Sequence, residues 1–158
     1  MRSETRLPAD AELLARAINL VNRQQVGVMC TVTADGKPAA RWMTSVADAG
    51  LRTLYTMTAA DTRKVAELQA HPAVAWVFTA EGFGDVVTLR GTVKVHMSAL
   101  AGMQAWDRLS RAVQTYAFGS LRSSEEPHIV TLETTVESLE ILSPELEMYA
   151  PRTVPLPR

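Results

Sequence analysis

The chain has 158 residues and a formal net charge of −1, from 16 basic and 17 acidic residues that are interspersed along it. This length fits one domain with a substantial core, and the balanced charge gives no basic patch of the kind that binds nucleic acid. The single cysteine, Cys30, excludes an intramolecular disulfide framework and is typical of a reducing cytoplasm. No uncharged apolar run approaches the roughly 20 residues of a membrane span. Residues 1–10 have no signal-peptide core, so we expect a cytoplasmic protein that does not enter membranes.

The first part of the chain predicts a helix followed by three strands. Apolar residues recur at helical spacing over residues 10–24, with a polar opposite face. Residues 26–33 form a β-rich run that ends in an Asp-Gly turn signal, and 39–46 predict the returning strand of the hairpin. A third strand is predicted over 52–57, after a turn that contains glycine.

The next segment predicts a short helix with a basic first turn. The helix is expected to begin after Asp61 or Thr62 and to end before Pro72, because the residue before a proline is pushed out of the helical region. Arg63 and Lys64 then lie at the positive end of the helix dipole, where acidic residues are favoured. A bound anion, held by backbone N–H groups, threonine hydroxyls and two cations, would explain this placement. The alternative is that both side chains point into water.

The second half of the chain predicts strands on either side of one helix. Strands are predicted over 73–79, 86–97, 129–136 and 139–142. Gly91 lies inside the second of these runs and indicates a bulge or a sharp bend. Helical spacing returns over 98–116, and a polar loop is predicted over 120–127. We expect a single domain over 1–150 and a mobile, proline-rich tail over 151–158.

The order of these elements favours a mostly β fold with flanking helices. Six or seven antiparallel strands, joined by hairpins, do not suit a parallel α/β sheet. A strand bent at glycine favours a small closed or split barrel whose ends are covered by helices. We therefore predict a six- to seven-stranded antiparallel β-barrel, either closed or split.

Arg41 is a further candidate for binding an anion. It begins an Arg-Trp-Met-Thr segment in a strand whose other neighbours are apolar or small, so its guanidinium needs a carboxylate or a ligand phosphate as partner. Two adjacent strands could bring it close to Thr56 and to the start of the short helix. We call Arg41, Thr62, Arg63 and Lys64 the anion cradle.

Other chemistry finds less support in the sequence. Three scattered histidines, His71, His96 and His128, form no ligand-spaced pair, so no metal site is predicted. Cys30 lies in an apolar strand and suits a core thiol, and no Gly-x-Ser-x-Gly elbow is present. Five aromatic residues could line a groove for a planar ligand or fill the core: Trp42, Tyr55, Trp76, Phe78 and Trp106.

The ordered series of these segments resembles the FMN-binding split-barrel family, which includes pyridoxamine 5′-phosphate oxidase and its general-stress-protein relatives. The resemblance covers roughly residues 10–97, and the helix with Trp106 and the final strands look similar to the stress-protein branch. The matching segments are 28–32 with 35–38, 41–43, 54–56, 62–68 with 71–75, and 87–93.

The resemblance implies an FMN held at a homodimer interface and redox chemistry with a small-molecule electron donor and acceptor. The phosphate would lie on the anion cradle. Contacts to the isoalloxazine and ribityl chain would come from Trp42, Met43, Thr44, Tyr55 and Thr56. Residues of the partner near Trp106 would close the flavin's other side. The cofactor performs hydride transfer, so no catalytic side chain is predicted.

Three departures from the family pattern bear on the substrate. True pyridoxamine-phosphate oxidases have a substrate-binding lysine where this chain has Val46, and a flavin-binding glutamine where it has Val86. Their C-terminal Trp and Arg-x-His signature is also absent. The sequence therefore argues against vitamin B6 oxidation.

Several alternatives stay open at this point. A non-catalytic flavin-binding or redox-sensing module would have the same sequence features. The same fold could bind the deazaflavin F420 or haem, and Arg52 and Arg90 are the extra cations that could serve the acidic tail of F420. A lipocalin-like carrier would leave Arg41, Arg63 and Lys64 without a role.

Overall fold

The computed structural model describes residues 6–121 and 128–158, which form one antiparallel sheet with helices packed against it. The helices are α1 (Asp10–Gln24), α2 (Arg63–Ala70), α3 (Leu100–Trp106) and α4 (Arg111–Leu121). The strands are β1 (Val26–Val32), β2 (Pro38–Thr44), β3 (Val46–Ala47), β4 (Thr53–Ala59), β5 (Ala73–Thr79), β6 (Val86–His96), β7 (Ile129–Ser143) and β8 (Met148–Val154). A 3₁₀ turn, Pro144–Leu146, joins the last two strands.

The sheet curls into a half-barrel with the strand order β2-β1-β5-β6-β7-β4-β3, and β8 pairs with β7. All of these pairings are antiparallel. The predicted split-barrel class is confirmed. The described strands number eight rather than six to seven, because the two-residue β3 and the C-terminal β8 join the sheet.

The core lies between the concave side of the sheet and α1. The apolar stripe of α1 is buried there, with Leu13 and Ala17 fully inaccessible to solvent. Trp76 and Phe78 on β5 are also fully buried and stack with their ring centroids 5.9 Å apart. Burial of this stripe explains why the helical spacing over 10–24 predicted α1 correctly.

The two final strands predicted from the sequence are one continuous strand, β7. It pairs with the whole of β6 through residues 131–142, and the register shifts so that Glu137 is the extra residue opposite the Arg90–Gly91 step. Gly91 therefore sits at the predicted bulge, and a Cβ there would collide with the carbonyl oxygen of Thr135. The bulge absorbs the break in alternation that made β7 look like two strands.

The predicted mobile tail is wrong for residues 151–154, which belong to β8. The side chain of Arg152 donates to the carbonyl oxygen of Pro8 at 2.7 Å, and Val154 is buried. Pro151 is tolerated because β8 is an edge strand, where a missing N–H leaves no ladder bond unmade.

The helix predicted over 98–116 is interrupted between α3 and α4. At the interruption, the Gln25 side chain donates to the carbonyl oxygen of Arg108 at 2.8 Å and accepts from the N–H of Ser110 at 2.7 Å. The predicted loop over 120–127 begins inside α4, and most of it lies outside the described residues. In the described ranges, no helix is both long enough and apolar enough to cross a membrane.

Candidate functional site

The N-terminus of α2 has no hydrogen bond from the side chain of its N-cap residue. Thr62 is its N-cap with an extended backbone (φ −83°, ψ 148°), but the Thr62 side chain does not cap the helix, and the first turn has no acidic residue. The Thr62 hydroxyl instead donates backwards to the carbonyl oxygen of Ala59 at 2.9 Å. The positive end of the helix dipole therefore lacks the usual side-chain acceptor.

Arg41 projects from β2 towards α2. Its Nη1 donates to the hydroxyl of Thr31 at 2.6 Å and to the carbonyl oxygen of Met29 at 3.3 Å. Its Nη2 pairs with Glu67 Oε2 at 3.1 Å, and the Arg41 side chain is only 20 % exposed. Of the two partners that the sequence left open, the structure supplies the carboxylate.

Glu67, which sequence reasoning missed, joins the members of the anion cradle. It is buried on α2 and accepts from the Thr31 hydroxyl at 2.6 Å, while its Oε1 lies 3.1 Å from Nε of Arg63. Among the described residues, Oε1 accepts no hydrogen bond of good geometry. The Thr31 hydroxyl, followed by the charges of Arg41 and Arg63, lowers the pKa of Glu67.

The position of Glu67 in the helix is the sequence feature that could have indicated its role. It lies four residues after Arg63, the spacing of an ion pair on one helix face, and directly before the buried Leu68. An acidic residue on a buried helix face needs a cation, and the sequence also indicates that Arg41 needs an anionic partner.

Lys64 lies at the opening of a narrow cleft. Burial, followed by the charge of Arg41, lowers its pKa, while the charges of Asp61 and Glu67 act in the opposite direction. A bound anion would favour the charged form of this lysine, so the cleft is suited to a negative group. The cleft is lined by Trp42, Met43, Thr44, Met57, Thr58, Lys64, Tyr116 and Ala117.

The cleft continues into a larger groove across the edge of the sheet. Trp42 and Tyr116 line both spaces, and the groove beyond them has a volume of about 370 Å³. Val26, Gly27 and Val28 of β1 form part of its floor. This volume falls in the range of about 300–1,000 Å³ that is typical of small-molecule sites.

The remaining predicted residues, Met43, Thr44, Tyr55 and Thr56, do not line this groove. Thr44 and Thr56 are buried with their hydroxyl oxygens 3.5 Å apart, and Met43 belongs to the main core. Tyr55 lies against Trp106 in a second, small apolar cluster, where burial and then Glu133 and Asp48 raise its pKa. The structure thus brings Trp42, Met43 and Thr44 to the cleft beside Lys64, and Thr58, Tyr116 and Ala117 are lining residues that the sequence did not indicate. The other predicted residues do not line the cleft: Arg41, Tyr55, Thr56, Thr62 and Arg63.

Two of the three histidines have partners away from the cleft. Nε2 of His96 lies 2.5 Å from a carboxylate oxygen of Glu133, and Nε2 of His128 lies 3.0 Å from the carbonyl oxygen of Met97. Over residues 6–121 and 128–158, no group of three or more His, Cys, Asp or Glu side chains is arranged to hold a metal ion.

Comparison with known proteins identifies the family. The family model described as pyridoxamine 5′-phosphate oxidase matches residues 14–142, which include the anion cradle and the strands that hold it. The chain belongs to this family. General stress protein 26 of Bacillus subtilis (strain 168) is 30 % identical over 135 residues, which are 84 % of this chain and 89 % of that protein.

Solved structures of distantly similar proteins share the fold. A Nostoc punctiforme protein described as pyridoxamine 5′-phosphate oxidase-related and FMN binding is 15 % identical, with a TM-score of 0.64 over 98 % of this chain and 99 % of its own. A protein described as F420 Reductase is 19 % identical, with a TM-score of 0.57 over 77 % of this chain and 93 % of its own.

The family departure at Val46 has a structural counterpart. Val46 is buried on β3 and packs with Ala105 and Leu109 in the second apolar cluster. A lysine placed there would meet the apolar surface of α3 and its following turn.

Proposed function

We propose that this protein binds FMN with its phosphate on the anion cradle and acts as a flavin-dependent oxidoreductase. The observation that supports this best is the clustering of Arg41, Arg63 and Lys64 at the start of α2, with Lys64 lining a cleft that Trp42 also borders. A phosphate monoester has a charge of about −1.5 to −2 at neutral pH and three strong acceptor oxygens. The donors of the cradle suit such a group.

Each part of the site has a separate task in this proposal. The phosphate is bound by Lys64, Arg63 and the backbone N–H groups at the start of α2, and Arg41 adds positive charge. The Trp42 side chain and the backbone of β2 orient the ring system along the groove. Bound FMN would supply the electron-transfer chemistry, and the protein holds and orients it.

A second copy of the chain is proposed to complete the site. Trp42 is 67 % exposed and Tyr116 is 46 % exposed, although both border the groove. Large exposed aromatic side chains at a ligand groove indicate a surface that another surface covers. We propose a homodimer with the flavin at its interface, in the cytoplasm, where the free thiol of Cys30 would remain reduced.

The deazaflavin F420 and haem fit the described residues less well. Arg52 donates to the carbonyl oxygen of Pro157 at 2.6 Å, and Arg90 pairs with Glu140 at 3.0 Å on the β6–β7 face. Neither arginine lines the cleft or the groove, so the two extra cations considered for the acidic tail of F420 are engaged elsewhere. No histidine lines either space to serve as a haem ligand.

The test is the chromophore of the purified protein. We expect flavin absorption bands, release of a molecule with the mass of FMN on denaturation, and rebinding of added FMN. A colourless protein that does not bind added FMN would refute the proposal. Turnover with NAD(P)H and artificial electron acceptors then separates an oxidoreductase from a flavin-binding or redox-sensing module. Activity on pyridoxamine 5′-phosphate is not expected.

A further inference from the structure

The anion cradle already contains an anion of its own, the buried carboxylate of Glu67. This group contacts the same two arginines that the proposed function assigns to the flavin phosphate. Resting on that function, we propose that Glu67 is the internal counter-ion of the cradle, which competes with the phosphate for Arg41 and Arg63 and keeps the cofactor exchangeable.

The charge balance of the cradle supports a competing role. Three cations, Arg41, Arg63 and Lys64, face two carboxylates, Glu67 and the exposed Asp61. Glu67 is 5 % exposed and directly paired with Arg41 and Arg63, so its charge is less screened there by solvent and salt than that of Asp61, which has the larger effect on Lys64. Replacing Glu67 by a neutral residue would raise the net charge of these five groups from +1 to +2.

The contacts of Arg41 decide the direction of the effect. Its guanidinium is also held by the Thr31 hydroxyl and by the carbonyl oxygen of Met29, so it keeps two anchors without Glu67. Loss of the carboxylate therefore removes a competing charge more than it misplaces the arginine. Oε1 of Glu67 accepts no well-formed hydrogen bond among the described residues, so it is the less restrained of the two carboxylate oxygens.

The variant Glu67→Gln tests this inference, since glutamine keeps the shape of the side chain and removes its charge. Dissociation constants for FMN and riboflavin are compared, because riboflavin lacks only the phosphate. We expect the preference for FMN over riboflavin to rise about tenfold, as an opposing charge a few ångströms from the phosphate is removed. The riboflavin constant itself should stay nearly unchanged. The matched control is Glu81→Gln, an exposed glutamate in the turn after β5, which should leave both constants unchanged.

An unchanged or lower preference for FMN in Glu67→Gln would overturn the inference while leaving FMN binding by the wild type intact. A wild type that binds neither flavin would overturn the proposed function instead. Inorganic phosphate then tests the cradle without a flavin: we expect it to raise the melting temperature of Glu67→Gln more than that of the wild type. Equal shifts would refute the role of Glu67. Circular dichroism checks that the variant folds, and Glu67→Met, which also removes the charge, should change the same preference in the same direction.

Discussion

Two clusters of arginine and buried carboxylate lie in this fold, and they differ in how completely the carboxylate is satisfied. In the Asp85 cluster (Arg16, Asp85, Ser143 and Glu145), Arg16 Nε donates to Asp85 Oδ2 at 2.8 Å and the Ser143 hydroxyl donates to Oδ1 at 2.5 Å. Arg16 also donates to Glu145 at 2.7 Å. In the Glu67 cluster (Thr31, Arg41, Arg63, Lys64 and Glu67), Oε2 of Glu67 accepts hydrogen bonds from Thr31 and Arg41. Its Oε1 accepts no well-formed hydrogen bond among the described residues.

The excess charge of the two clusters also has opposite signs. Arg16 faces two carboxylates, whereas Glu67 has Arg41, Arg63 and Lys64 around it. The Asp85 cluster ties α1 to β7 and to the turn before β6, and its buried groups are complete without a ligand. Excess positive charge at the N-terminus of α2 is the feature on which the proposed binding site rests, and the Asp85 cluster lacks it.

The largest expected effect separates the clusters by removing one arginine from each. Arg41→Met leaves Glu67 buried without its main cation, so we expect a loss of about 3 kcal/mol in the free energy of unfolding. FMN retention should also be lost. Arg16→Met should lower stability but leave FMN affinity unchanged. Urea unfolding measures the stability and FMN titration measures the affinity. Equal losses of FMN affinity in the two variants would show that the two clusters do not differ in FMN binding.

The variant Lys64→Ala tests FMN binding without a large change in the free energy of unfolding. Its charged form is already disfavoured by burial and by Arg41, so Lys64→Ala should unfold at a similar urea concentration to the wild type. Loss of a charged hydrogen bond, about 1.5–3 kcal/mol, should weaken FMN binding by about 10- to 100-fold. The control is Lys94→Ala, an exposed lysine on β6. If both variants bind FMN like the wild type, the phosphate lies elsewhere.

The smallest expected effect is a pH dependence that belongs to the Glu67 cluster. The pKa of Glu67 is lowered from 4.5 in the folded protein, so its ionised form contributes stability fully above that pH. This contribution is lost as the pH falls through the lower folded value. The difference in urea midpoint between the wild type and Glu67→Gln should therefore shrink below pH 4.5. A difference that stays constant down to pH 3 would show that the charge of Glu67 contributes nothing.

Local patterns in the sequence predicted most of the fold. The apolar stripe of α1, the basic first turn of α2 and the bulge at Gly91 follow from residue spacing and steric limits within a few residues. The division of α3 from α4 does not, because the Gln25 side chain that satisfies the backbone there lies more than 80 residues away in sequence. The continuity of β7 likewise depends on its partner β6.

The sequence by itself indicated that Arg41 needs an anionic partner and that Arg63 and Lys64 lie at the positive end of a helix dipole, because both follow from the residue types in one short segment. Only the tertiary structure decided that a carboxylate already stands among them. Glu67 reaches Arg41 across 26 residues of chain, through the packing of α2 against β1 and β2, and spacing along the chain does not encode that distance. The same packing leaves the cations in excess, because one buried carboxylate and one exposed aspartate do not balance three positive charges.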